Sequence, residues 1–274
     1  MTGTVYTEVI NLARASERRA HMQAELATAG ITARFLPAFD MKEHAPEKLL
    51  EHCTRTGPWG VFQPGNMACT ISHELAWERF LETGAEFCVI LEDDVYISPD
   101  IAAWLADLSW WPDDAHLVKI ERWNGRDTKV LLERSGPDHL GRSLRRLFSR
   151  HVGSAGYILN RDGARIMLAH RPFRVSIDNH LFNRNASPAA RAVVTYQVNP
   201  ALVTQGNEPE GVPASLTHRK KPEGMEKWLQ KARRGWHEVA YPLSTYLKFL
   251  TGRIALARVP YAARAGAANP PLET

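Results

Sequence analysis

Three adjacent carboxylates, Glu92, Asp93 and Asp94, follow directly on the apolar run Phe87-Cys88-Val89-Ile90-Leu91. Negative charges at that density repel one another in a dry interior, so they need water or a cation. Oxygen ligands of this kind suit Mg²⁺ or Mn²⁺, and Mg²⁺ characteristically binds through one or two carboxylates together with substrate phosphates. The plainer reading is an acidic turn that faces solvent after a core strand. Side chains alternate along a strand, so Glu92 and Asp94 should share a face while Asp93 points away. Elsewhere, Asp178 lies in Ser176-Ile177-Asp178-Asn179-His180. A carboxylate there could take a proton from an attacking hydroxyl, and Asp is equally favoured as a helix N-cap. His73 interrupts an otherwise apolar helix, where a hydrogen-bonded core histidine is commoner than a catalytic one.

These residues need elements to hold them. An apolar run bounded by acids reads as a strand buried on both faces. Upstream, Val5–Leu12 reads as a first strand, Glu17–Ala29 as a helix capped by Ser16 and stopped by Gly30, and Ile31–Leu36 as a second strand. Strand–helix–strand is the opening of a parallel α/β layer. Ligands of such sheets bind beyond the carboxyl ends of the strands. Asn11, Arg14, Arg18 and Arg19 follow the first strand there, and Phe39-Asp40 follows the second. Arginines at a helix N-terminus suit a diphosphate, although Arg18 and Arg19 also read as solvated helix residues.

Met41–Pro64, rich in Pro and Gly, is expected to be irregular, and Gly65–Thr83 helical. A short helix over Pro99–Leu108 and a strand over His116–Glu121 follow, the latter bringing Lys119 and Glu121. Val130–Leu132 and Leu144–Phe148 suggest a hairpin. Ser154–Leu159 reads as a strand, Arg161–His170 as a helix capped by Asn160, and Val193–Val198 as a further strand.

The length of 274 residues allows one large α/β domain, or one domain and an appendage. The three cysteines, Cys53, Cys69 and Cys88, form no paired motif and read as thiols of a reducing compartment. No signal-like start and no apolar stretch long enough to span a bilayer is visible, so a cytoplasmic location is the expectation. The net charge of +4 is unevenly spread, because residues from Thr217 onward carry eleven Lys/Arg against four acids. Trp228, Trp236, Tyr241, Tyr246 and Phe249 are interleaved among them. Such a tail suits an anionic surface, whether a membrane leaflet, an anionic glycolipid or a nucleic acid; the alternative is a solvated helical face.

Taken in order, several blocks resemble glycosyltransferase family 25, which includes lipooligosaccharide galactosyltransferases and collagen hydroxylysine galactosyltransferases. They are Val9-Ile10-Asn11-Leu12 with Ser16-Glu17-Arg18-Arg19 and Phe39-Asp40; Ala68-Cys69-Thr70-Ile71-Ser72-His73 with Trp77; Ile90-Leu91-Glu92-Asp93-Asp94-Val95; Gly153-Ser154-Ala155-Gly156-Tyr157-Ile158; and Ile177-Asp178 with Gln205. The resemblance spans about residues 5–207 and departs from the family at Ala68, where Gly is usual. It implies a GT-A type fold, a Rossmann-like, mostly parallel sheet flanked by helices. It implies a catalytic domain over 1–207, with the donor-binding half at about 1–121 and the acceptor-binding half at about 122–207. Residues 208–274 would then form a helical, basic, aromatic extension.

By the same resemblance, Mn²⁺ or Mg²⁺ and a UDP-hexose donor are implied, UDP-galactose or UDP-glucose. The acceptor would be a glycan or glycolipid such as lipooligosaccharide, a protein side chain or a soluble compound, and no nucleic acid is expected. Asp94 becomes the direct metal ligand; Glu92 touches the metal or the ribose, and Asp93 the donor sugar. Gln205 stands where the family carries a further ligand, with His218 as a second candidate. Asn11, Arg14, Arg18, Arg19, Asp40 and Lys119 are donor-contact candidates. Asp178 is the catalytic base of an inverting transfer, with Glu121 and His151 as secondary site residues. A non-catalytic sugar-nucleotide module is the reading from another class, and the intact acidic triplet argues against it.

Overall fold

The computed structural model describes residues 3–122, 129–205, 225 and 243–265. The chain opens as β1 (Val5–Asn11), α1 (Ser16–Ala29) and β2 (Arg34–Pro37), with the two strands parallel. Helix α1 stops where Gly30 takes φ +68° and the N–H of Ile31 closes on the carbonyl of Leu26. A residue without Cβ enters that left-handed conformation at little cost. The expected cap, Ser16, instead lies in the first turn, and Ala15 holds the cap position with no side-chain bond.

The segment expected to be irregular carries a short helix α2 (Lys48–His52) and a tight hairpin of β3 (Thr56–Gly57) and β4 (Gly60–Val61). Then come α3 (Pro64–Glu82), β5 (Phe87–Glu92), β6 (Val95–Ile97), α4 (Ile101–Ala106), β7 (Leu117–Lys119), β8 (Glu121–Arg122), β9 (Lys129–Glu133), β10 (Asp138–His139) and β11 (Arg142–Arg146). The chain continues with β12 (Gly156–Asn160), α5 (Arg161–Ala169), α6 (Ile177–Phe182), α7 (Pro188–Ala192), β13 (Thr195–Asn199), β14 (Val203–Gln205), α8 (Leu243–Leu250) and β15 (Ile254–Arg258). Asn160 caps α5 as expected, accepting from the N–H of Gly163 at 2.8 Å.

The main sheet has eight strands in the order β10-β11-β13-β7-β12-β5-β1-β2. All but β11 and β12 run in one direction, which makes the sheet mostly parallel. The α/β, Rossmann-like layer expected from the sequence is therefore present. Strand β5 lies inside it and is dry on both faces. Cys88 and Ile90 pack with Met67, Ile71, Trp77 and Phe80 of α3, while Val89 and Leu91 pack with Met22 and Leu26 of α1 and Trp104 of α4. Each such aliphatic side chain stabilises the fold by about 1.5–3 kcal/mol relative to exposure. The strand that delivers the acids is thus among the best anchored in the molecule.

A second sheet, β6-β14-β8, sits at the end of the first. In it β14 runs antiparallel to β6 with Gln205 opposite Val95, which brings Gln205 beside the acids.

Two expectations need correction. Val130–Leu132 and Leu144–Phe148 touch through a single bridge, Leu132 to Leu147, and form no hairpin. Instead β11 pairs with β13 from Ser143 to Arg146 and β9 pairs with β15 from Lys129 to Glu133. The C-terminal extension is also not helical throughout. After α8 the chain forms β15, with Ile254, Ala255 and Ala257 buried. Residues 254–265 are joined to the body rather than appended to it. Ala201 N–H donates to Pro260 O, and the fully buried Arg142 donates to Ala262 O and Ala201 O while pairing with Asp100 at 2.7 Å. Basic count and aromatic spacing say nothing of such pairing. Most of 208–242, with His218, Trp228, Trp236 and Tyr241, lies outside the described residues.

Candidate functional site

The site is built on the end of β5. The strand finishes at Glu92, the chain turns at Asp93-Asp94, and β6 leaves in the opposite sense. Asp93 is separated from Glu92 and Asp94 as expected, although Asp93 and Asp94 lie in the turn and not in the strand. Asp93 points to α1, where Arg18 meets it at 2.7 Å and Asn11 Nδ2 donates to it at 2.7 Å. Glu92 and Asp94 point the other way, into a common space closed by Gln205. The Gln205 amide lies 3.2 Å from Asp94 Oδ1 and 3.5 Å from Glu92 Oε2.

Burial, with the charge of Glu92 added to it, pushes Asp94 up to about 7. Burial also raises Asp93, against the pull of Arg18. Burial alone would raise Glu92 too, but its interactions with His73 and Ser154 outweigh it and hold its carboxyl below the usual range. Ser154 Oγ donates to Glu92 Oε1 at 2.7 Å. The carboxylates of Glu92 and Asp94 form a hard oxygen ligand pair, with Gln205 Nε2 donating to both; turning the Gln205 amide over would bring its oxygen to the same point. These residues fit Mn²⁺ or Mg²⁺.

The donor-contact candidates separate into groups. Asn11 and Arg18 are part of the site, joined to it through Asp93. Arg14 and Asp40 form their own ion pair at 2.5 Å at the mouth of the β1–α1 turn. The Lys42 N–H, together with Arg14, holds Asp40 below the usual carboxylate range. Arg19 is turned away from the acids and lies over the Phe35 ring at 4.3 Å. It is therefore corrected from donor contact to a surface cation–π partner.

Lys119 is corrected as well. It is fully buried, and its ammonium donates to Glu121 at 2.9 Å, Val152 O at 3.0 Å and Gly153 O at 2.5 Å. An ammonium has three protons, so none is left for a donor phosphate. A strand-end lysine looked accessible in the sequence because nothing there shows the 152–154 loop folding over it. Glu121 shares that floor; burial pushes it up to about 7, and the Lys119 charge offsets this only in part. His151 is buried and bonded to Gln197 at 2.8 Å, away from the acids.

Asp178 stands at the start of α6. Ser176, not Asp178, occupies the N-cap position. Ser176 Oγ and Asn179 Nδ2 both donate to Asp178 Oδ1, at 2.5 and 3.1 Å. The second oxygen, Oδ2, lies 4.0 Å from Arg150 and accepts no hydrogen bond among the described residues, with the side chain 17% exposed. One oxygen fixed and one without a hydrogen bond is the arrangement a proton acceptor needs.

Two residues of the site went without a role in the sequence reading. Ser154 holds Glu92, and Tyr157 holds His73. Both come from β12 and the loop before it, which cross β5 antiparallel with Gly156 opposite Leu91. That register is not visible in one sequence. The only signal was the Gly-Ser-Ala-Gly run, whose small residues let β12 approach closely: a Cβ on Gly156 would meet Val203 at 3.0 Å.

Known proteins are similar to this chain. A lacto-N-neotetraose biosynthesis glycosyltransferase of Neisseria meningitidis serogroup B, LgtE, is 31% identical over 217 residues, covering 72% of this chain and 72% of that protein. LgtB of Neisseria gonorrhoeae, with the same descriptive name, is 32% identical over 208 residues, covering 72% and 73%. A lipooligosaccharide biosynthesis protein of Haemophilus influenzae, lic2B, is 26% identical over 212 residues, covering 72% and 74%. The family model for glycosyltransferase family 25 (LPS biosynthesis protein) matches residues 6–181, a span holding every site residue above except Gln205. A dry strand ending in a carboxylate pair and a match over most of the chain lead to one conclusion: this protein belongs to glycosyltransferase family 25.

Proposed function

We propose that this glycosyltransferase moves a hexose, galactose from UDP-galactose, onto a saccharide acceptor such as lipooligosaccharide, with inversion at the anomeric carbon. The observation that carries the reading is the convergence of Glu92, Asp94 and Gln205 at the end of β5. The names of the relatives support the choice of acceptor class. A divalent cation bound there supplies charge neutralisation for the departing diphosphate. The residues of the chain do the rest. Asp94, Glu92 and Gln205 hold the cation. Arg18 and Asn11 fix Asp93, so that the turn keeps one shape when ligand enters. Asp178 accepts the acceptor's hydroxyl proton on Oδ2, while Ser176 and Asn179 keep its carboxylate from rotating. Release of UDP from UDP-galactose in the presence of Mn²⁺, measured in the wild type and in Asp94→Ala, tests the reading.

The same geometry sets a pH dependence. A proton and a cation compete for Asp94, whose carboxyl titrates near 7. Below that pH the group is neutral and binds a cation poorly; above it the anion is free to bind. The rise in Tm given by saturating Mn²⁺ should be small at about pH 5.5 and full at about pH 8. A rise equal at both values would contradict the placement of Asp94 in the metal shell.

The reading extends to a cytoplasmic enzyme held peripherally on the inner membrane face. Among the described residues no helix is long and apolar enough to cross a membrane. Helix α8 nevertheless exposes Tyr246, Leu247, Phe249 and Leu250 around Lys248, an apolar surface next to positive charge. Such surfaces bind anionic bilayers by burying apolar side chains under the headgroups. Flotation with phosphatidylglycerol vesicles should carry the protein upward, and Phe249→Glu with Leu250→Glu should leave it at the bottom of the gradient. Equal flotation of both proteins would remove the membrane contact from the proposal.

A further inference from the structure

Behind Glu92 runs a line of buried polar groups that the proposed chemistry does not use. Trp77 Nε1 donates to the Tyr157 hydroxyl at 2.9 Å, and that hydroxyl lies 2.8 Å from His73 Nδ1. On the other side of the imidazole, His73 Nε2 lies 3.4 Å from Glu92 Oε1, a charge contact outside hydrogen-bond geometry, and makes no hydrogen bond among the described residues. Trp77, His73 and Tyr157 are all fully buried. Polar groups this deep are costly unless each has a partner, so the line is a built feature.

Counting hydrogens gives the line a direction. An indole N–H can only donate, so Trp77 occupies a lone pair of the Tyr157 oxygen. The Tyr157 proton then has one acceptor nearby, His73 Nδ1. With Nδ1 accepting, the ring proton sits on Nε2 and points at Glu92. A ring protonated on both nitrogens would present Nε2–H to Glu92 in the same way. Glu92 Oε1 thus accepts from Ser154 Oγ–H at 2.7 Å and has the His73 Nε2–H directed at it electrostatically across 3.4 Å. Its other oxygen, Oε2, is left facing Gln205 and the space shared with Asp94.

We infer that His73 is a positioning residue: the line from Trp77 through Tyr157 to His73 locks the Glu92 carboxylate so that Oε2 alone is presented to the divalent cation. The inference rests on the proposed cation site and deepens it. A competing reading comes from Cys69, one helical turn before His73, since ligand atoms of Cys69, His73 and Glu92 lie within 4.8 Å of one another. A thiol, an imidazole and a carboxylate would suit Zn²⁺. That reading needs a lone pair on His73 Nε2, and the hydrogen count puts a proton there.

Mn²⁺ binding, followed by the electron paramagnetic resonance signal of the free ion, tests the inference without turnover. Outer-shell partners of a metal ligand typically change affinity about 10–100-fold, so His73→Leu should raise the Mn²⁺ Kd by about that factor. His73→Gln, whose side-chain amide can still donate to Glu92, should recover part of the loss. Tyr157→Phe, which removes a single oxygen and keeps the packing, should weaken binding in the same direction. It also serves if His73→Leu does not fold, as judged by circular dichroism.

Wild-type Kd values in folded His73→Leu and Tyr157→Phe, beside a clear loss in Asp94→Ala, would overturn the positioning role and leave the cation site standing. Equal losses in His73→Leu and His73→Gln would also overturn it, because packing would then be the cause. A thiolate-to-metal charge-transfer band on adding Co²⁺, abolished by Cys69→Ser, would replace it with the thiolate site. No Mn²⁺ binding by the wild type would overturn the cation reading and this inference together.

Discussion

Asp94→Ala abolishes metal-dependent release of UDP from UDP-galactose while leaving the fold intact. The side chain lies at a turn outside the hydrophobic clusters and, among the described residues, is hydrogen-bonded by Gln205, so truncation opens no apolar cavity. What is lost is a cation ligand. Removing one preorganised group that stabilises developing charge costs about 10²–10³-fold in rate, and loss of the cation itself costs more. Truncation also relieves the repulsion from Glu92 that helps raise the Asp94 carboxyl to about 7. The variant should therefore unfold no earlier than the wild type without metal, and should lose the Tm increment on adding Mn²⁺. Undiminished UDP release would remove the acids from the chemistry.

Asp178→Asn is the second large effect, and it separates transfer from donor binding. The amide keeps the shape and retains a partner in Ser176, but it cannot take a proton. General-base catalysis contributes about 10²–10⁴-fold, so kcat for transfer to a saccharide acceptor should fall by that factor. Binding of UDP with Mn²⁺ should be unchanged, because Asp178 makes no contact with Glu92, Asp94 or Gln205. A fall in nucleotide affinity with kcat preserved would mark Asp178 as a donor-site residue instead. Acceptor-dependent turnover and isothermal titration with UDP together distinguish the outcomes.

The acids were legible in the sequence for a physical reason. A run such as Cys88–Leu91 has no polar atom to satisfy, so the charges at its end must lie at an edge, and strand alternation then sorts Glu92 and Asp94 from Asp93. The pairing of Asn11 and Arg18 with Asp93 was not read from the sequence; it depends on β1 lying parallel beside β5. Gln205 was found through family resemblance alone. What stayed hidden depended on register and on loops. Lys119 looked like a donor contact until the 152–154 loop was seen to take its protons. Arg19 sits one residue from Arg18 and faces another side, a rotation of about 100° on a helix that a motif does not record. The partnership of β9 with β15 joins residues more than a hundred positions apart, and periodicity carries no information about it.

The central claim is that Glu92, Asp94 and Gln205 hold a divalent ion against the diphosphate of a sugar nucleotide. Anomalous diffraction from crystals grown with Mn²⁺ and UDP tests it most directly. The account predicts a manganese peak bonded to Asp94, flanked by Glu92 and Gln205, and joined on its far side to phosphate oxygens of UDP. Manganese or UDP located elsewhere, with the three side chains touching only water, would contradict it.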